Sequence, residues 1–337
     1  MSRALPLVLS LLVLAPACSS NDPPAADAGV DRGSVDRTLR ELAAPETGAR
    51  EAAAPVCPPG LDLKPFTLDA AYCVLYRAPL ATAASAVATT ANRVWTFASA
   101  GTPAGGLLEE HAVKPGGVQL EAASAVFGFP LPATKHYLGT YLARSAGGKL
   151  AAGYTEDQTF DGAIYFGAKG GSPVKIEKAQ GNYDAIFLDD ETLLVNGAGL
   201  GAAQEGQGVY LWRAGSAPRR LVKDLGGMSG QLALGPGVLH AGGYFTDGNK
   251  LYAFTLAEVK AAIAAGKTLS ATSDGDLVYA GGSLDAAALA DDLVVAKMNT
   301  TTFAVEAVQR IAVTIAGDKV SAGATSTICT PGGALTL

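Results

Sequence analysis

A small-residue corner ending in glycine recurs along this chain, each time after an apolar strand-like run and ahead of an acidic loop and a second apolar run. The corners fall at Gly101 in WTFASAG, Gly153 in LAAGY, Gly197 in LLVNGAG, Gly242 in LHAGGY and Gly281 in VYAGGS, with a weaker copy at Gly323 in KVSAGA. Their spacing is roughly 40 to 50 residues, and strand pairs repeated at that period restrict the chain to architectures that array one supersecondary unit. The third unit shows the pattern most clearly. Its runs AIFL, LLV, VYLW and RLV are separated by Asp189-Asp190, by residues 197–208 and by residues 215–218. Short apolar runs closed by turn residues read as strands. Glycine at the corners suits places where strands crowd and a Cβ would obstruct a neighbouring backbone.

Four strands per unit at this period describe the blade of a β-propeller, so the predicted fold is all-β. The corners count six blades, or seven if residues 61–90 hold a further partial unit. The last unit is too short for four strands, and YCVLYR at 72–77 reads as an orphan strand. An N-terminal strand joining the C-terminal blade would close the ring and remove a free sheet edge. The fourth unit departs from the pattern. After Phe254, Thr255 and Glu258 form a T-x-x-E capping box, Leu256, Val259 and Ile263 have helical spacing, and Gly266 is a stop, which together predict a short helix. Its apolar residues read as a packing face.

The first twenty residues carry one basic residue, Arg3, then an apolar run over 4–17 and small residues before Cys18. That is an export signal over residues 1–17. The segment resembles a bacterial lipoprotein signal, in which the cysteine after the cleavage point is lipidated and begins the mature chain. The resemblance implies a lipidated Cys18, a membrane partner through that anchor, and, from Ser19, the outer membrane, facing periplasm or cell surface. The other reading is an ordinary cleavage site at Ala15-Pro16-Ala17 with a soluble product. The polar tail after Cys18 favours the tether. From residue 19 to 56 the chain is rich in Asp, Ala, Pro, Arg and Glu without an aromatic residue. It cannot bury enough apolar surface to offset its ordering entropy, so residues 18–56 are expected to be a disordered linker ahead of a propeller domain at 57–337.

With 337 residues, 49% apolar and 17% charged, the chain can bury one large core, and nothing beyond residue 20 has the length of a spanning helix. Net charge is -6 and the basic residues are scattered, which excludes a phosphate-neutralising stripe and makes nucleic acid an unfit partner. Cys57, Cys73 and Cys329 would meet an oxidising compartment, where pairing is the default. Cys73 with Cys329 would staple the chain termini; Cys57 with Cys73 is the local alternative.

Catalytic signatures are weak. His111, His136 and His240 lie in different units, and Ser229 in GMSGQ has Gln231 where a nucleophile elbow needs glycine. Residues 197–202 satisfy G-x-G-x-x-A after a strand, but AAQEGQG follows rather than a helix, so this is a turn. The constellation that carries chemistry is acidic: Glu156, Asp157 and Asp161; Glu205; Asp247; Asp285, Asp291 and Asp292. All are expected in the loop between second and third strands, rimming one face of the disc. Asp157, Asp161, Asp247, Asp285 and Asp291 are the candidate oxygen ligands for Ca²⁺, or an attractor for a cationic ligand. The plainer reading, that these are turn residues of solvated hairpins, is favoured.

Across residues 60–337 the repeats resemble bacterial periplasmic and surface β-propellers, including Tol-associated and phytase-like six-bladed proteins. No functional residue carries over. Two function classes follow: a non-catalytic propeller scaffold that binds a protein or small molecule at the envelope, which is favoured, and a metal-dependent six-bladed hydrolase or lactonase.

Overall fold

The computed structural model describes residues 137–331, apart from 157–158, 169–170, 227, 245–249 and 303, and ahead of them only strands within 66–125. Side-chain surroundings are described from residue 141 onward. The described chain is mostly β-strand with one helix. After a short β1 (Phe66–Leu68), the strands fall into sheets in chain order. Sheet one holds β2 (Ala86–Thr90), β3 (Arg93–Ala98), β4 (Leu107–Lys114) and β5 (Gly117–Ala125). Sheet two holds β6 (Tyr137–Arg144), β7 (Lys149–Glu156), β8 (Gly162–Ala168) and β9 (Val174–Glu177). Sheet three holds β10 (Asp184–Asp189), β11 (Thr192–Gly197), β12 (Gly208–Arg213) and β13 (Arg219–Lys223). Sheet four begins with β14 (Met228–Leu234), β15 (Val238–Tyr244) and β16 (Lys250–Thr255). The chain then forms α1 (Leu256–Ala265), lends β17 (Leu269–Ser270) to sheet three as a parallel neighbour of β13, and completes sheet four with β18 (Asp276–Ala280). Sheet five holds β19 (Ser283–Leu289), β20 (Asp292–Met298), β21 (Val305–Ala316) and β22 (Lys319–Pro331).

Apart from the parallel β17 in sheet three, the sheets are antiparallel, and the first strands of consecutive sheets are neighbours: β2 with β6, β6 with β10, β10 with β14, β14 with β19. Sheets therefore meet face to face, and alternate side chains of one strand enter different interfaces. In β11 every residue is buried. Leu193 and Val195 join Ile164, Phe166, Tyr210 and Trp212 between sheets two and three, while Leu194 joins Leu232, Leu239 and Phe254 between sheets three and four. Phe166 and Trp212 pack edge to face with ring centroids 4.7 Å apart. Val238, Leu251, Leu293, Val295 and Ile311 fill the interface of sheets four and five.

The helix stands where its caps predict. The Thr255 side chain accepts the Glu258 N–H, Glu258 reaches back to the Thr255 N–H, and Gly266 ends the helix at φ 66°. No helix among the described residues is long and apolar enough to cross a membrane.

The unit count differs from the sequence expectation: the described residues form five sheets, not six. Gly281 follows β18, the last strand of sheet four, instead of cornering a new unit, and Gly323 lies within β22. The insertion of α1 and β17 between β16 and β18 displaces the frame, so residues 276–280, read as opening a unit, finish one. The run that follows Asp291 is β20, the second strand of its sheet. The C-terminal unit is not short either. β21 and β22 run for 12 and 13 residues and give sheet five four strands of its own. An N-terminal strand does pair with it, but as a fifth strand: β1 lies antiparallel on β22 with Phe66 opposite Pro331 and Leu68 opposite Cys329. The strand expected at 72–77 lies outside the described residues.

Candidate functional site

The polar side chains inside this fold are mostly used to join one sheet to the next. The Gly147 N–H, in the β6–β7 turn, donates to Asp190 Oδ1 at 2.7 Å, and the Gly237 N–H, in the β14–β15 turn, donates to Asp291 Oδ1 at 2.7 Å. Each aspartate sits in the first hairpin turn of the following sheet, so the same bond links sheets two to three and four to five. Hydrogen bonds from Ser145 and Gly147 hold the Asp190 carboxyl below the usual carboxylate range. Buried amides work alike. Asn182 Nδ2 donates to the carbonyl oxygens of Tyr154 and Ala179 at 2.9 and 2.5 Å, Asn196 Nδ2 to that of Gly242 at 2.9 Å, and Gln231 Nε2 to that of Ser283 at 2.9 Å. Buried amides without such acceptors would carry a desolvation cost, so each fixes one arrangement of adjacent sheets.

Among the described residues, the acidic side chains expected on one rim are divided between different parts of their sheets. Asp161, exposed ahead of β8, and Glu205, between β11 and β12, do lie between second and third strands. Asp285 is on the first strand β19, and Asp291 and Asp292 are at the β19–β20 turn, the opposite end of a sheet from the second-to-third loops. The displaced frame of the fifth unit is the cause. Glu205 pairs with Arg220 at 3.5 Å, and Asp292 accepts from Arg310 Nε at 2.6 Å and from the Val313 N–H at 2.8 Å. Asp157, Asp247, Cys18, Cys57 and Cys73 lie outside the described residues. Among the described residues no three His, Cys, Asp or Glu side chains gather as a metal would require. Cys329 is a buried free thiol, and burial pushes its pKa up. Residues 197–202 form the expected turn, with Leu200 and Ala203 bridged and the Tyr210 hydroxyl accepting the Glu205 N–H at 3.2 Å.

Two carboxylates that the sequence reading did not pair take matching positions in their sheets instead. Asp184 and Asp285 occupy corresponding places on the first strands β10 and β19, each followed by alanine that pairs with a valine of the second strand: Ala185 with Val195, Ala286 with Val295. Asp184 Oδ2 accepts the Leu232 N–H from β14 at 2.7 Å. Burial holds its carboxyl well above the usual range, and the charge of Asp285 pushes it further. Asp285 is exposed, and its carboxyl also sits above the usual range through desolvation. A signal existed for both. The heptapeptides DAIFLDD and DAAALAD share Asp-Ala-x-x-Leu-x-Asp, and the last Asp of each is the turn residue that receives a glycine N–H.

Recesses open beside β9, the outer strand of sheet two. Two clefts of about 540 and 530 Å³ share Lys175, Glu177 and Lys178 as a common wall; the first continues over Trp212 and Pro218, the second over Asp161 and Gln204. Val174 of this strand is 52% exposed.

No family model matches the chain, and no curated protein matches it. Among solved structures it is similar to the AtxE2 isopeptidase in its apo form, at 11% identity and a TM-score of 0.23, covering 71% of this chain and 51% of that one. The chain thus spans about half the length of that protein.

Proposed function

We propose that the five sheets are blades of a β-propeller tethered to the cell envelope through a lipidated Cys18, and that the domain is a non-catalytic scaffold for a protein or small-molecule ligand. Consecutive first strands lying side by side support the propeller, as does the pairing of β1 with β22. The observation that carries the scaffold reading is the engagement of the described acidic side chains. Asp190 and Asp291 bind backbone of the preceding sheet, Asp292 binds Arg310, and Glu205 binds Arg220. Carboxylates so engaged stiffen the frame and leave recognition to the clefts beside β9, where apolar and charged walls adjoin.

A metal-dependent hydrolase or lactonase is the second reading, and Asp184 with Asp285 is the observation that favours it. A bound cation would relieve the cost of holding two carboxylates in this setting. Thermal melting of the protein in EDTA and in millimolar Ca²⁺ separates the two. The scaffold reading expects coincident curves. A Ca²⁺-dependent gain of RT ln(1 + [L]/Kd), about 2.7 kcal/mol at a hundredfold excess over Kd, that vanishes in Asp285→Asn would overturn it. The tether is tested by Cys18→Ala, which is expected to leave the membrane fraction; unchanged fractionation and migration would contradict lipidation.

A further inference from the structure

His240 lies in β15, fully buried where sheets four and five meet. Its Nε2 is 3.0 Å from the carbonyl oxygen of Asp291, which can only accept, so Nε2 carries the proton and donates. Its Nδ1 is buried with no hydrogen-bond partner. The side chain of Asp291 meanwhile accepts the Gly237 N–H, so a single turn residue of sheet five takes two bonds from the β14–β15 hairpin.

We propose that this contact is a pH-sensitive latch between sheets four and five, closed while His240 is neutral and released when it is protonated. The neutral ring uses one nitrogen as a donor and leaves the other as a bare acceptor. Protonation places a charged N–H at Nδ1, where no acceptor waits, against an interface filled by Val238, Leu293 and Ile311. An unpaired buried charge of that kind is relieved by opening to water.

The charged surroundings are few. The in-register neighbours on its own sheet are Ala233 and Ala253. From sheet five, Asp291 and Asp292 face it, and Asp292 is already bound to Arg310 and to the Val313 N–H. Asp276 of β18 is taken by the Val320 N–H at 2.8 Å and by Lys319 at 3.5 Å. Burial outweighs the attraction of Asp291 and Asp292 and keeps the imidazole below its ordinary range. The folded state therefore binds fewer protons than the unfolded or opened one, and the closed contact weakens as pH falls below the ordinary histidine value of about 6.5. Sheet five holds both ends of the described chain in the β1–β22 pair, at the other edge of the sheet from the β19–β20 turn that the latch engages.

Amide hydrogen exchange corrected for intrinsic rates tests this at pH 7.5 and pH 5.5. The Gly237 amide and those of residues 291–293 should lose up to about tenfold of their protection at the lower pH, the ceiling for one histidine titrating near 6.5 when open, with residues 193–196 of sheet three unchanged, as expected of a local opening. His240→Gln, which can still donate to the Asp291 carbonyl but cannot charge, should abolish that loss. Should this variant fail to fold, the wild-type imidazole followed by NMR decides: its midpoint must lie below the ordinary value, and the loss of protection must begin near the ordinary value and level off as pH falls through that midpoint. A midpoint at or above that value, protection that ignores pH, or a loss that disappears in His111→Gln or His136→Gln would overturn the latch.

Discussion

Asp184 occupies a costly position. Its carboxyl is half-buried on β10, loses hydration there and feels Asp285, and both effects favour the protonated form. Because its folded pKa is raised, the folded state binds more protons than the unfolded state between the ordinary carboxyl value and the raised one. Its contribution to stability is then complete at acid pH and lost as pH rises through the folded value. Asp184→Asn keeps an acceptor for the Leu232 N–H and removes the charge, so it should melt at a higher temperature than wild type at pH 7, the gap closing as pH falls toward 4. An equal or lower melting point at pH 7 would show that the carboxylate is compensated. The sequence displayed Asp184 but not its role. Turn aspartates and an aspartate on an inner strand look alike until the first strands are laid side by side, and only the repeated Asp-Ala-x-x-Leu-x-Asp marks the position.

Among the elements, glycines divide by what surrounds them. At Gly243, in β15, a Cβ would run into the backbone carbonyl of Gly226, which is main chain and not the far end of a flexible side chain. At Gly323, in β22, the nearest atom to such a Cβ would be the Ala312 carbonyl oxygen at 3.5 Å, an ordinary contact. Gly243→Ala should therefore destabilise by about 1–3 kcal/mol, as overpacking does, while Gly323→Ala stays within about 0.5 kcal/mol of wild type in a denaturant titration. Equal effects would mean that the corners are alike after all. The same contrast explains the fifth unit. A glycine corner reports crowding or a bend without reporting which strand of a sheet it adjoins: Gly281 follows the last strand of sheet four and Gly323 lies within the last strand of sheet five. The α1 caps were legible because Thr255, Glu258 and Gly266 each bind backbone within a few residues. The β13–β17 pair was not legible, because its register joins residues separated by the whole of β14, β15, β16 and α1.

At the scale of the molecule, repeat period and strand alternation carried the all-β class and the order of the sheets, since each meander pairs neighbours in sequence. The meeting of the chain ends was expected in kind, and its location was not: β1 is a three-residue strand without an apolar run long enough to stand out, whereas YCVLYR looked like a better candidate. Leu68 faces Cys329 across that pair, and paired strands place Cα atoms about 4.5–5.5 Å apart, within disulfide reach. This gives the most direct measurement of the fold. In a Leu68→Cys protein with Cys57 and Cys73 replaced by serine, mild oxidation should join position 68 to Cys329, seen as a cross-linked peptide in mass spectrometry. Closing a loop of about 260 residues should also raise stability by up to about 5 kcal/mol on the chain-entropy estimate. Two free thiols after oxidation of the folded protein, with melting unchanged, would contradict the pairing of the N-terminal strand with the C-terminal sheet.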